Sequence, residues 1–252
     1  MLSRSSPRSD SEQGNQRLAL LIDADNAQAS VIDGILSEVA RFGEATVKRI
    51  YGDFTSPASA SWKPVLRKHA INPVQQFAYT TGKNATDSRL IIDAMDLLYT
   101  GKLDAFCLVT SDSDFTGLAM RLREEGLTVY GFGEHKTPEA FRNACHRFIF
   151  TEVLRAARTG GSPKTVAPQL EANLPDALFR EALEHTSDDD GWANLGAFGQ
   201  YLLKLQPEFD ARTYGFKKLS DLIKAQTKVF EVQERSQEGS AQRSIRVRAK
   251  TS

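Results

Sequence analysis

Between residues 17 and 150, short apolar runs alternate with stretches in which apolar residues recur every three or four positions. The runs LALLID (18–23), ATVKRIY (45–51), NPVQQFAY (72–79), AFCLVTS (105–111), LTVYGFG (127–133) and RFIF (147–150) read as strands. Helical periodicity covers 29–42, 58–69, 86–99, 115–125 and 138–144. The strand runs are apolar at successive positions, so both faces of their sheet must be covered, as in parallel sheets flanked by helices. The expected fold is α/β: a parallel sheet with helices on both faces. In such sheets the functional site lies beyond the carboxyl ends of the strands, so polar residues there carry the interest.

The pattern changes near residue 158. TGGSPKTVAP (159–168) gathers Gly, Ser and Pro, and a linker is expected over 159–170. Beyond it, three helical patterns near 175–184, 194–204 and 217–226 precede two strand patterns, VFEV (229–232) and SIRVRAK (244–250). The polar stretch ERSQEGSAQR (234–243) joins the strands as a hairpin loop. Three helices and a hairpin suggest a winged helix, a small α+β domain over 171–250. Residues 1–16 are rich in Ser and Arg without apolar periodicity and read as a disordered tail, which leaves 17–158 for the α/β domain.

The 252 residues, 40% of them hydrophobic, supply enough apolar material for two cores. Lys and Arg together number 32 and Asp and Glu together 32, so the formal net charge is zero. Neutrality excludes a uniformly basic nucleic-acid coat, but neither a local basic patch nor an acidic site that meets phosphate through a metal ion. No window approaches the roughly 18 uninterrupted apolar residues of a membrane helix, and the N-terminal stretch lacks the apolar core of a signal peptide. A cytoplasmic protein with no membrane partner is expected. Cys107 and Cys145 have no CxxC partner and the four histidines are scattered, so neither a zinc site nor a disulfide framework is expected.

Two strand ends carry paired acids: Asp23 and Asp25 in LIDADN, Asp112 and Asp114 in VTSDSDF. Parallel strands bring both pairs to one sheet edge. Asp87 opens the helix of GKNATDSRLIIDAMDLLY, and Ile91, Ala94 and Leu98 follow it on one stripe, so it should face the sheet at the helix's first turn. Asp93 falls on the flank and Asp96 on the opposite face, which suits solvated or structural roles. Converging carboxylates repel one another, and Mg²⁺ or Mn²⁺, which prefer hard oxygen ligands, would relieve them. A plainer reading is that these acids cap helices, with Asp25 and Asp114 as N-caps. Asn26 could orient a water or ligand, or begin a helix. Lys83 could neutralise a substrate phosphate, and Thr110, Ser111 and Ser113 are further phosphate-contact candidates or turn formers.

LIDADN, GKNATDSRLIIDAMDLLY, LVTSDSDFTGLAMRLREEG and YGFGEHKTPEAFRNACHRFI, taken together, resemble the LabA-like NYN domain, a branch of the PIN-like nuclease superfamily. The resemblance covers about 17–155 and implies a Rossmann-like α/β fold with a metal-binding acidic site and, in active members, ribonuclease activity. By position it assigns catalytic roles to Asp23, Asn26, Asp87, Asp112 and Asp114, and the metal to the four aspartates. Asp25 falls between matched positions and ranks below them. The pieces GWANLGAFGQYLLKLQPEFDARTYGFKKLSDLI and VFEV resemble the OST-HTH domain, also called LOTUS, a winged helix associated with RNA regulation.

In SIRVRAK the basic residues alternate with Ile245 and Val247, which puts Arg246, Arg248 and Lys250 on one strand face. With Arg243, Lys217 and Lys218 they form a candidate RNA-binding surface; an ordinary solvated strand face is the bland alternative. Trp192, Phe198, Tyr201, Phe209, Tyr214 and Phe216 are expected in the core. Two functions follow: a metal-dependent ribonuclease whose second domain binds RNA, single-stranded or structured, or a non-catalytic RNA-binding adaptor. Both leave room for a protein partner through the second domain and for a homo-oligomer. A haloacid-dehalogenase-type phosphatase, with Asp23 as nucleophile, is disfavoured because VTSDSDF lacks that family's glycine-flanked acidic motif.

Overall fold

The computed structural model describes residues 16–77, 85–158, 175–236 and 243–250. The expected tail as far as residue 15, the linker, Lys83 and the hairpin tip lie outside the described residues. The chain divides into two compact units, Met1–Thr159 and Gly160–Ser252.

Among the described residues of the first unit, six strands form one parallel sheet: β1 (Arg17–Asp23), β2 (Glu44–Gly52), β3 (Asn72–Gln75), β4 (Ala105–Val109), β5 (Thr128–Gly133) and β6 (Arg147–Phe150). Their order is β3-β2-β1-β4-β5-β6, each pairing parallel to its neighbour. One face is covered by α1 (Ile32–Phe42), α2 (Trp62–His69) and α6 (Thr151–Arg158), the other by α3 (Ala85–Tyr99), α4 (Thr116–Glu124) and α5 (Glu139–Ala144).

β1 shows why the sheet is buried on both sides. Leu18, Leu20 and Ile22 point into the α1 side, Ala19 and Leu21 into the α3 side, and all five are fully buried. Burial of each large aliphatic side chain contributes about 1.5–3 kcal/mol, so a register slip, which exchanges the two faces, is strongly disfavoured.

Several boundaries differ from expectation. The helices expected at 29–42, 58–69 and 115–125 are each entered through a 3-10 turn, at Ala29–Val31, Pro57–Ser61 and Ser113–Phe115. Pro64 lies within the first turn of α2, where its missing N–H removes no helical hydrogen bond. β3, at the sheet edge, is shorter than NPVQQFAY suggests. Helix α6 was not apparent in the sequence, because it begins directly after β6 without a turn residue to announce it.

The second unit runs α7 (Asp176–Thr186), β7 (Ala193–Asn194), α8 (Leu195–Leu205), α9 (Leu219–Ala225), β8 (Phe230–Ser236) and β9 (Arg243–Ala249). Its antiparallel sheet has the order β7-β9-β8. Phe179, Phe198, Phe209, Leu222, Phe230 and Val247 lie within one small core. The two-residue β7 is too short to show a periodic signal, yet it completes the helix–strand–helix–helix–hairpin order of a winged helix. α9 begins later than the periodicity indicated, leaving Lys217 outside it and Lys218 at its N-cap.

Candidate functional site

In the order β3-β2-β1-β4-β5-β6 the chain winds outward from β1 in one direction and from β4 in the other. The loops leaving these two adjacent strands therefore diverge, and the crevice between them is the usual ligand site of a doubly wound sheet. Ile22 of β1 pairs with Val109 of β4, so Asp23 and Thr110 come next at that crevice. Strand alternation puts Asp23 in line with Ala19 and Leu21, and Thr110 in line with Phe106 and Leu108, all on the face covered by α3.

Asp23 is fully buried. Its Oδ2 accepts hydrogen bonds from Asn26 Nδ2 at 2.8 Å and from Thr110 Oγ1 at 2.9 Å; its Oδ1 accepts from the Asp25 backbone N–H at 3.0 Å. Burial raises its pKa, and these three donors pull it back. A carboxylate with this many donors is suited to hold the loop rather than to attack a substrate, which disfavours the phosphatase reading. Asn26 reaches back to Asp23, and the residue preceding the 3-10 turn Ala29–Val31 is Gln28, so Asn26 does not cap it.

Thr110 links the two strand ends. While its hydroxyl donates to Asp23, it accepts the Asp112 backbone N–H at 3.1 Å. Asp112 Oδ1 then accepts the Asp114 N–H at 2.9 Å and caps the 3-10 turn Ser113–Phe115. The capping expected of Asp114 is thus performed by Asp112, while Asp25 caps nothing, because the residue before Ala29–Val31 is Gln28, which makes no side-chain cap hydrogen bond. Thr110 and Ser111 are both buried, and Ser111 Oγ accepts the Glu134 N–H at 2.9 Å, so both brace the loop instead of presenting hydroxyls to phosphate. Only a glycine fits beside this loop at residue 133, because a Cβ there would lie 2.5 Å from the Thr110 carbonyl oxygen.

Helix α3 brings the third carboxylate. Leu90, Ala94 and Leu98 are its buried apolar positions, with Ile91 partly buried, so the stripe is rotated slightly from the one counted in the sequence. Asp93 anchors the helix: it is 4% exposed, receives Arg49 Nη1 at 2.9 Å and Tyr51 Oη at 3.1 Å, and pairs with Arg89 at 3.0 Å. It is structural rather than solvated. Asp87, one helical turn or two before these contacts, shares a site with Asp112 and Asp114, whose ligand atoms and its own lie within 4.8 Å of one another. Asp23 stands outside that trio. Its charge nevertheless acts on Asp87, whose pKa is pushed up to about 6, first by burial and then by Asp23, Asp112, Asp114 and Asp25.

The trio fits a hard divalent cation. Oxygens on opposite sides of Mg²⁺ lie about 4.2 Å apart at the usual ligand distance of about 2.1 Å, close to the span of these atoms. The donors are all carboxylate, and Asp87, raised first by burial and then by its neighbouring aspartates, is held among negative charges that a cation would offset.

The sequence model of the NYN domain family matches residues 17–154, more than half of the chain. This chain belongs to the NYN domain family. NYN domains are part of the PIN-like nuclease superfamily, and a second match, to the OST-HTH/LOTUS domain, covers residues 171–241, so the architecture joins a nuclease-type domain to an RNA-associated one. An uncharacterized protein of Methanocaldococcus jannaschii is 29% identical over 125 residues, which are 48% of this chain and 49% of that protein. The chain thus spans about half the length of this relative. Among solved structures, an uncharacterized protein of Nitrosomonas europaea is 49% identical, covering 38% of this chain and 92% of that one, with a TM-score of 0.31. A protein of unknown function from Vibrio parahaemolyticus is 17% identical, covering 56% of this chain and 94% of that one, with a TM-score of 0.46.

The basic residues of the C-terminal unit are less free than expected. Arg246 pairs with Asp188, and Arg248 pairs with Glu231 at 2.6 Å. Lys217 and Lys218 are exposed; the side chain of Arg243 lies outside the described residues. Phe198 and Phe209 are buried, and Tyr201, Tyr214 and Phe216 pack against the core. Trp192 departs from expectation: it is half-buried outside that core, beneath the guanidinium groups of Arg246 and Arg248. Among the described residues no helix is long and apolar enough to cross a membrane.

Proposed function

We propose that the protein is a metal-dependent ribonuclease that hydrolyses RNA phosphodiester bonds at the acidic cluster, with the LOTUS unit binding RNA. The observation that carries this reading is the convergence of Asp87, Asp112 and Asp114 within 4.8 Å at the divergence of β1 and β4. When bound, Mg²⁺ or Mn²⁺ would supply Lewis-acid stabilisation of the phosphoryl oxygens and activation of a water.

The three aspartates would hold the ion, and Asp114 is the most exposed of them. Asp23 adds negative potential and, with Thr110 and Asn26, fixes the loop that carries Asp112; one lone pair on its Oδ1 is left to contribute directly. Without a cation this cluster repels RNA, so the ion is needed for substrate approach as well as for chemistry. Lys83 joins the reading on its sequence position just before Asp87, as a cation for a neighbouring phosphate.

Incubating purified protein with single-stranded and structured RNAs in Mg²⁺, Mn²⁺ or EDTA tests the reading. Cleavage is expected with either ion and not in EDTA. Cleavage that continues in EDTA would overturn the metal dependence, whereas no cleavage under any condition with RNA still bound would instead support the adaptor role.

A further inference from the structure

Trp192 ends a tight turn that Asp188 organises. Asp188 Oδ1 accepts the backbone N–H groups of Trp192 at 2.9 Å and Asp190 at 3.2 Å, while Gly191 takes the left-handed conformation, φ 77°, that favours glycine. Arg246 and Arg248 emerge from the same face of β9, with Val247 between them turned into the core. Their guanidinium carbons lie 5.9 and 4.7 Å from the centre of the Trp192 ring. Asp188 thus does two things at once: one oxygen shapes the turn that presents the indole, the other pairs with Arg246. Glu231, the cross-strand neighbour of Arg248, holds the second guanidinium.

We propose that Trp192, Arg246 and Arg248 form a binding site for single-stranded RNA, taking a base by stacking and its flanking phosphates by the two arginines, with Asp188 and Glu231 as built-in competitors for those arginines. The inference rests on the reading that the LOTUS unit binds RNA. An indole flanked by guanidinium planes offers the stacking and cation–π contacts that single-stranded nucleic acids use without regard to sequence. Both acids are 46% exposed at the side chain, and ion pairs so open to water are weak. A phosphate, which accepts bidentate hydrogen bonds from arginine, can displace either carboxylate. The acids therefore hold the arginines in place over the ring in the free protein and set a threshold that only a ligand combining base and phosphate crosses.

The test is tryptophan fluorescence of the full chain in EDTA, which prevents cleavage, titrated with a short single-stranded oligoribonucleotide and with the deoxy oligonucleotide of the same sequence. Saturable quenching is expected with RNA and is lost in Trp192→Phe, which leaves Trp62 as a silent reporter in the other unit. Trp192→Ala should weaken binding about ten-fold or more. Asp188→Asn with Glu231→Gln should strengthen it roughly three- to ten-fold and steepen its salt dependence, as the same two arginines then meet phosphate with no carboxylate neutralising them. The asparagine keeps the Oδ1 acceptor on which the turn depends, so this variant retains the fold if Trp192→Ala does not. Unchanged affinity in the acid-removal variant, RNA binding without a change in Trp192 emission, or tighter binding of DNA than of RNA would each overturn the site. Metal-dependent cleavage with Trp192 unaffected sinks this inference alone, whereas failure of RNA to bind at all sinks the RNA-binding reading as well.

Discussion

Asp87 bears the electrostatic cost of the cluster. Its pKa of about 6 stands above the usual aspartate value of about 3.9, so its ionised form is less favourable in the folded protein than in the unfolded chain. The resulting penalty is fully present above pH 6, fades as pH falls between about 6 and 4, and is gone once both states are protonated. Asp87→Asn should therefore raise the melting temperature of the metal-free protein at pH 7.5 and leave it nearly unchanged at pH 4. Equal shifts at the two pH values would mean that the substitution acts through packing. A site that destabilises its own scaffold until the ligand arrives is a common signature of function. Cys107 and Cys145 are a contrast: burial pushes both thiols up, and they are packing residues without reactive character.

At the scale of elements, the site depends on β1, β4 and α3 being fixed to one another. Thr110 joins the first two, and Asp93 pins the third to β2 through Arg49 and Tyr51. Thr110→Val keeps the shape but removes the donor to buried Asp23 and the acceptor of the Asp112 N–H. Asp23 keeps its bonds from Asn26 and Asp25, so the cost is that of two lost hydrogen bonds, one of them to a buried carboxylate, about 1–3 kcal/mol in all; urea unfolding should show a loss of that order, with Thr110→Ser close to wild type. A Thr110→Val protein as stable as wild type would remove the hydroxyl from the account. Much of this was legible in the sequence. Successive apolar positions in LALLID and AFCLVTS indicated a doubly covered sheet, and the spacing from Asp87 to Ala94 and Leu98 turned that acid toward it. The face that Thr110 takes was legible, by counting alternate positions from Phe106 and Leu108, but its bond to Asp23, 87 residues away, was not, and the sequence suggested a phosphate contact or a turn former instead. The binding of Asp93 to Arg49 and Tyr51 was not legible either, because partners 44 and 42 residues away in sequence leave no local pattern.

At the scale of the whole molecule, the strand order decides where the acids meet, and that order comes from pairing between distant segments that periodicity does not encode. The sequence could place Asp23 and Asp112 at strand ends on one edge; only the adjacency of β1 and β4 makes them neighbours. The zero net charge likewise resolves into unlike regions, with acids gathered at one sheet edge and arginines held by acids around Trp192. The two units have separate hydrophobic cores, so calorimetry of the full chain should resolve two unfolding transitions. Mn²⁺ at about a hundred times its dissociation constant stabilises what it binds by about 2.7 kcal/mol, and only one transition should move. A shift of both together would indicate that the units unfold as one.

We propose the trio of carboxylates at the divergence of β1 and β4 as the metal-dependent nuclease centre. Its most direct test is the rate of RNA cleavage against Mn²⁺ concentration for wild type and Asp112→Asn, compared at equal protein purity and with the fold checked by circular dichroism. Asparagine retains the oxygen that caps the Ser113–Phe115 turn while removing the charge, so the account predicts a saturable, ion-dependent rate in the wild type and its loss in a folded Asp112→Asn protein. Equal cleavage by the two proteins at every Mn²⁺ concentration would contradict it.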